Sequence, residues 1–354
     1  MHPDDATVNP QETPKKRRPR YKGTHPRRFE EKYKELHQEK YPQDIEKILA
    51  SGRTPAGSHR PICVKEVLEI LDPKPGQTGL DATLGYGGHA RELLGRLRPG
   101  GRLFALDIDP LEIVRTEARL RAGGFGEESL IIRRLNFAGI PKLLPETDGG
   151  FDVILADLGV SSMQLDDPTR GFSFKVEGPL DLRLNPERGQ PASKLLRSLS
   201  EKALEEILRS HSDETYAQAI AKAVFQSREE IATTTALADA VRKALGRVSP
   251  DMDESDITRS IRRTFQALRI EVNDEFSALE QFLRNMPVCL KPQGRVAILT
   301  FHSGEDSRVM RFFEAGLEAG VYASIGRDPI KATREECYDN PRAKSAILRW
   351  AIKQ

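Results

Sequence analysis

Gly79-Leu80-Asp81-Ala82-Thr83-Leu84-Gly85-Tyr86-Gly87-Gly88-His89 decides the fold. A short apolar run ends in a glycine-dense turn, and Ala90 to Leu97 has the spacing of an amphipathic helix. That order is strand, tight loop, helix start. In open α/β sheets such a junction lies at the carboxyl end of a strand, where ligands collect. Glycine lets the backbone turn through positive φ and approach a ligand closely. The spacing departs from GxGxxG, so a plain glycine-rich turn stays open on these residues alone.

Working outward, Arg102-Leu103-Phe104-Ala105-Leu106 reads as a second buried strand with Asp107 at its tip. An acid about twenty positions after the glycine turn, at the end of the next strand, is where a ribose hydroxyl pair is gripped. Asp109-Pro110 allows the plainer reading of a turn. The spacing predicts a helix over Leu111 to Ala122. A third strand follows at Leu130-Ile131-Ile132, ending near Asn136-Phe137, and a fourth at Phe151 to Ala156, ending at Asp157. Near-continuous apolar strands alternating with helices predict a doubly wound, mostly parallel sheet covered on both faces. A lone Asp at position 157 is most often a turn or cap residue. As the third polar strand end in one sheet, it is also a site candidate.

After Arg170 the alternation stops. A turn-rich stretch leads into helical patterns at Ser200 to Arg209, Glu214 to Ser227, Thr235 to Leu245 and Ile257 to Asn285. The sheet resumes at Gly294 to Thr300, whose end carries Phe301-His302-Ser303, and closes with a strand over Ser345 to Ile352. The expected organisation is a discontinuous core, 57–167 and 287–354, with an inserted helical substrate-recognition subdomain, 168–286. Residues 1–56 form a basic, partly disordered extension. It carries Lys15-Lys16-Arg17-Arg18-Pro19-Arg20-Tyr21-Lys22 and Arg27-Arg28, helical patterns at Arg28 to Lys40 and Pro42 to Ala50, and a linker at Gly52 to Ser58. Such a cluster can neutralise phosphates and release counterions, although charge runs are more often solvated tails.

The 354 residues hold 55 Lys+Arg against 53 Asp+Glu, a net charge of +2, so any nucleic-acid affinity must come from local patches. No apolar run is long enough to span a bilayer, and no hydrophobic signal region follows Met1. Cys63, Cys289 and Cys337 lack metal-ligand spacing and fit reduced thiols in a cytosol. A cytoplasmic protein with no membrane partner is expected.

From His59 onward the chain resembles the bacterial 16S rRNA cytosine-N4 methyltransferases of the MraW type. Several blocks carry the resemblance in order: Asp81 to His89, Asp157 to Asp167, Arg170 to Phe174, Gly178 to Arg183, Arg263 to Ile270, Phe301 to Ser303 and Asn340 to Lys344. It departs from the family pattern at Gly304-Glu305-Asp306-Ser307, usually Leu-Glu-Asp-Arg, and at Met163, usually Pro. The stretch between Gly316 and Asp339 is shorter, and the basic extension is not a usual family feature.

The resemblance implies a class I Rossmann-like methyltransferase core that uses S-adenosylmethionine. Carried over by position, Gly87, Gly88 and His89 would hold the donor and Asp107 its ribose. Phe137 would lie near the adenine, with Asp157 and Gln164 completing the pocket. Phe137 and Gln164 rest on the resemblance alone. Asp157 is the expected acceptor near the substrate amine, and His302 is a candidate for substrate contact or proton removal, or a structural histidine. Arg183, Arg259, Arg262, Arg263 and Arg269 are candidates for phosphate contact, though helical arginines are more often paired or solvated. The expected partner is 16S rRNA or the small ribosomal subunit, with a homodimer as a further expectation. Two other classes stay open: a methyltransferase for another RNA or DNA base, and a non-catalytic RNA-binding or assembly protein. DNA amino-methyltransferases carry Pro-Pro-Tyr/Phe at the strand end where this chain has Leu158-Gly159-Val160.

Overall fold

The computed structural model describes residues 61–354. The basic cluster, the two helical patterns before Ala50 and the linker at Gly52 to Ser58 lie outside the described residues.

The first half alternates as its apolar pattern dictates. Helix α1 (Val64–Leu71) leads to β1 (Thr78–Asp81), α2 (Gly88–Leu97), β2 (Arg102–Asp107), α3 (Pro110–Ala122), β3 (Leu130–Arg134) and β4 (Phe151–Asp157). Between β3 and β4 the chain forms a 3₁₀ segment, Phe137–Glu146, in which Pro141 and Pro145 remove the donors an α-helix needs. A short helix α4 (Ser162–Asp166) and a turn-rich stretch precede α5 (Ala192–Ser198), α6 (Glu201–Ser212), α7 (Ala217–Ser227), α8 (Thr234–Val248) and α9 (Glu254–Asn273). The sheet returns through α10 (Glu275–Cys289), β5 (Leu290–Thr300), α11 (Ser303–Glu318), β6 (Tyr322–Ile325), β7 (Ile330–Lys331), α12 (Arg334–Asp339) and β8 (Ile347–Lys353).

The strands lie in the order β3-β2-β1-β4-β5-β8-β6, with β7 beside β8. Pairings from β3 through β5 are parallel, and β8 is antiparallel to both β5 and β6. The mostly parallel, doubly wound sheet read from the sequence is therefore present, with a single reversed strand inserted near one edge. Leu80 pairs in register with Phe104 and Ile154, and Ile154 with Val296, so Asp81, Asp107 and Asp157 end neighbouring strands on the same side of the molecule.

Because side chains alternate across a strand, each strand feeds both layers. Leu80, Phe104, Leu106, Ile154, Val296 and Ile298 pack under α10 and α11 through Phe282, Leu283, Met286, Val309 and Phe313. Leu103, Ala105, Val153, Leu155, Ala297 and Leu299 face α1 and α2 through Val67, Leu71, Leu93, Leu94 and Leu97. Helices α5 to α9 bury a third apolar group of their own, with Leu196, Leu208, Ile220, Leu237, Val241, Ile261 and Phe265 among its members. Among the described residues no helix is long and apolar enough to cross a membrane.

One expectation is corrected. The continuous helical pattern from Ile257 to Asn285 is two helices, broken at Asp274, whose φ of 51° lies in the left-handed region. Its N–H closes α9 on the Glu271 and Ile270 carbonyls, and the chain then turns so that α10 packs on the sheet. Apolar periodicity runs on through both helices, and Asp tolerates either conformation, so the break leaves no mark in the pattern. The short strands β6 and β7 were not legible either.

The helices after β4 are tied to the sheet by a buried polar knot. Asp109 caps α3 by accepting from the N–H of Leu111 and Glu112. Its second oxygen takes Gln164 Nε2 at 2.8 Å and Arg170 Nη1 at 2.7 Å. Arg170 also donates to the carbonyls of Arg183 and Leu184, and Asn273 at the end of α9 holds Leu182 and Leu184 through backbone bonds. Asp109 is fully buried and Arg170 nearly so. Removing one partner of such a pair leaves a buried charge unmatched, which costs about 3–5 kcal/mol. Arg170→Met is expected to lower unfolding stability by that amount in urea titrations. A loss below about 1 kcal/mol would contradict the role given to the knot.

Candidate active site

A cavity of about 540 Å³ opens at the carboxyl ends of β1, β2, β4 and β5. Its floor is the loop 82–89, one wall is Asp107 with Phe137, and the opposite wall is 157–165 with Phe301 and His302. Arg262, Phe265 and Arg269 of α9, together with Asn340 and Arg342, close the outer side.

The glycine loop is held in place from behind. Gly85 and Gly87 take φ of +46° and +78°. A Cβ on Gly87 would meet Thr116 Cγ2 at 2.7 Å, and one on Gly88 would meet Pro61 Cγ at 2.8 Å. Thr116 donates its hydroxyl to the Gly85 carbonyl at 2.6 Å, and Arg119 donates to the Tyr86 carbonyl at 3.0 Å while lying over the Tyr86 ring. Helix α2 starts at this loop without a side-chain cap, leaving first-turn N–H groups at the cavity.

Asp107 accepts from Gly85 N–H at 2.8 Å and from Asp109 N–H at 2.9 Å, so it braces the loop and keeps one lone pair per oxygen for the cavity. Burial pushes its carboxyl above the ordinary range. Phe137 stands edge-on to Phe282, ring centroids 5.3 Å apart, and forms part of the wall. Gln164 lines the cavity, but its amide is committed elsewhere: it accepts from Ser161 N–H at 2.8 Å and donates to Asp109.

The strand tips carry enclosed polar atoms without hydrogen-bond partners among the described residues: Asp81 Oδ2, His89 Nε2, Asp157 Oδ1 and both ring nitrogens of His302. Burial first, then the neighbouring Asp81 and Glu305 charges, pushes the Asp157 carboxyl up to about 7. Asp81 is raised by burial and by Asp107. Burial drives His89 down to about 4, so its imidazole is neutral at pH 7 and its 3.7 Å approach to Asp157 is not an ion pair. His302 Nε2 lies 3.2 Å from Glu305 Oε1, but out of line for a hydrogen bond.

The arginine candidates separate clearly. Arg183 pairs with Asp181, Arg259 with Asp256 and Arg269 with Glu275, while Arg263 donates to the Asp213 carbonyl. Only Arg262 of the five has no partner among the described residues, and it lines the cavity. Asp81, Thr83, Glu305 and the Asp109–Arg170 pair were not singled out from the sequence. For Asp81 the signal was present: it is a polar residue at a strand end, like Asp107 and Asp157.

A mostly parallel sheet of this strand order, with a glycine loop opening a helix and an acid ending the next strand, defines a Rossmann-like methyltransferase that takes S-adenosylmethionine. The model of the MraW methylase family matches residues 56–354, and the chain belongs to that family. It is 53% identical over 346 residues to the ribosomal RNA small subunit methyltransferase H 1 of Lachnoclostridium phytofermentans, covering 97% of this chain and 94% of that one. It is 50% identical over 345 residues to ribosomal RNA small subunit methyltransferase H 2 of Alkaliphilus metalliredigens, covering 97% and 99%. Against the ribosomal RNA small subunit methyltransferase H of Halorhodospira halophila it is 38% identical over 323 residues, covering 86% and 96%. Coverage of 97% takes in most of residues 1–56, so the extension read as a departure from the family pattern is shared with the first two relatives.

A carboxyl whose folded pKa is raised costs stability once pH exceeds its unfolded value, and the cost grows until the folded value is passed. For Asp81, raised from 3.8 to about 7, that window runs from about pH 4 to 7. Relative to wild type, ligand-free Asp81→Asn is expected to gain stability steadily across it, by a total of order 2–4 kcal/mol. Denaturant midpoints measured from pH 4 to 8 check this, and a pH-independent difference would contradict it.

Proposed function

We propose that this chain transfers a methyl group from S-adenosylmethionine to the exocyclic N4 amine of a cytosine in small-subunit (16S) rRNA. The observation that carries the reading is the set of enclosed, unpartnered acid oxygens at the strand tips, Asp81 Oδ2 and Asp157 Oδ1. Acids buried without a counter-cation favour a ligand that brings positive charge with it. The Gly87-Gly88 cradle, which any Cβ would fill, and the uncapped start of α2 suit the amino-acid end of the same donor. Asp107 would take the ribose hydroxyls on its remaining lone pairs, and Phe137 would lie beside the adenine.

The donor supplies an electrophilic methyl carbon on sulfur; its C–S electron pair stays with sulfur as the new N–C bond forms. The protein's own task is alignment and proton handling. A cytosine amine is a weak nucleophile because its lone pair is delocalised into the ring, so orientation counts, and near-attack positioning is worth roughly 7–11 kcal/mol. In its ionised form Asp157 accepts from an amine N–H, orients the lone pair and takes the proton that leaves N4. A carboxylate held near pH 7 is a better acceptor than an ordinary one. The base must leave any stack to enter, and Arg262, without a partner among the described residues, lines the cavity where it could meet the phosphate.

Of the segment expected as the insertion, 168–286, helices α5 to α9 with their own core would face the RNA, while α10 belongs to the sheet layer. The basic segment Lys15 to Arg28 would add salt-sensitive affinity. A protein acting on this rRNA would work in the cytoplasm.

Calorimetry is expected to show S-adenosylmethionine binding, weakened about 10- to 100-fold by Asp107→Ala, the worth of one or two hydrogen bonds to a charged group. Nucleoside mass spectrometry of small-subunit rRNA from a deletion strain is expected to show loss of N4-methylcytidine. An unchanged N4-methylcytidine level would overturn the assignment of substrate.

A further inference from the structure

Glu305 is buried in the first turn of α11, and apart from its charge acting on Asp157 it has no role above. Its Oε2 accepts the Phe301 N–H at 2.7 Å, which fixes the carboxylate against the end of β5. Its Oε1 lies 3.2 Å from His302 Nε2. The other side of His302 is closed by an aromatic wedge: the Phe276 and His302 ring centroids are 5.9 Å apart, and Arg308 lies over Phe276 at 3.6 Å. The wedge needs a residue without a side chain beside it. A Cβ on Gly304 would meet Phe276 Cζ at 2.6 Å and His302 Nδ1 at 3.2 Å. His302 is thus confined between a ring and a carboxylate, and its contact with these two sets its position.

We infer that Glu305 is a positioning residue for methyl transfer: its fixed carboxylate holds the His302 ring at the cavity and sets the charge that Asp157 faces. The inference rests on the reading of Asp157 as the proton acceptor. Burial works against an ionised Glu305, but His302, the Phe301 N–H and Arg269 outweigh it, and its carboxyl sits below the ordinary range. The remaining groups around Asp157 are accounted for. Asp81 on β1 repels it, His89 on α2 is neutral, and the Cys63 thiol ahead of α1 is pushed up to about 12 and stays protonated. Arg269 on α9 is engaged by Glu275. Asp157 pairs in register with Leu299, two residues before the Phe301 N–H that Glu305 accepts, and Asp306 on the same helix is paired with Arg349. The negative charge reaching Asp157 from α11 is therefore that of Glu305, which adds to burial and to the Asp81 charge in raising the Asp157 proton affinity.

Glu305→Gln keeps the size of the side chain and its acceptor for Phe301 N–H while removing the charge. With carboxyl-¹³C-labelled Asp, the Asp157 resonance of the ligand-free protein, assigned by its loss in Asp157→Asn, is expected to titrate at lower pH in Glu305→Gln than in wild type. The acid limb of the methyl-transfer pH profile should move the same way, and S-adenosylmethionine affinity should stay within about threefold. Glu305→Asp, which retains charge at a shorter reach, should restore the titration midpoint more fully than the transfer rate. An Asp157 titration unchanged by Glu305→Gln, or a rate loss equal at every pH, would overturn the inference. Full activity in Asp157→Asn would instead overturn the acceptor reading beneath it.

Discussion

Burying a carboxyl group without a counter-charge is among the more expensive things a fold can do, and this chain does it on adjacent strands. Asp81 and Asp157 end β1 and β4, which pair directly, and each has an oxygen enclosed without a partner among the described residues. A parallel sheet makes this arrangement unavoidable wherever acids end neighbouring strands, because all the carboxyl ends point the same way. The protein contains the cost structurally rather than neutralising it. Thr83 binds both tips, its N–H donating to Asp81 and its hydroxyl accepting from Asp157 N–H, while the glycine loop is braced by Asp107, Thr116 and Arg119. The cost falls at the cavity, where the proposed donor would relieve it, and functional sites are where such costs are usually found.

The second constraint joins recognition to chemistry. Asp109 serves the sheet as the cap of α3 and serves the inserted helices as the anchor of Arg170 and Gln164. The segment that frames the cavity from outside is therefore fixed to the strand tip next to the site rather than hung from a loose linker. Arg262 and Phe265 reach the cavity from α9 because that helix ends at Asn273, which grips the same turn-rich stretch. The two sides of the cavity share one rigid frame, which suits the near-attack alignment that the proposed methyl transfer needs.

Most of the sheet was legible from the sequence because buried parallel strands are short, apolar and separated by helices, and because polar residues at strand ends interrupt those runs visibly. Gly87, Asp107 and Asp157 stood out for that reason. What was not legible depends on contacts distant in sequence. The Asp109–Arg170 pair joins positions 61 residues apart. The Asp274 break lies inside an uninterrupted apolar period, and its cause is the packing of α9 and α10 on different layers. Glu305 resembles any acid in a helical first turn until the Phe276 wedge and the bare Gly304 are seen beside it. Of the five arginines marked as phosphate contacts, sequence offered no way to tell paired from unpaired, since Glu275 and Asp181 are ordinary surface-type acids in the pattern.

The central claim is that the free protein holds protons on buried strand-end carboxyls and gives them up when a positively charged donor arrives. Proton exchange on binding measures this directly. Titrating the protein with S-adenosylmethionine near pH 6.5, in buffers of different ionisation enthalpy, should reveal net proton release. The release should shrink above about pH 8, where the carboxyls are already ionised. Binding with no proton exchange at pH 6.5, or with proton uptake, would contradict the account.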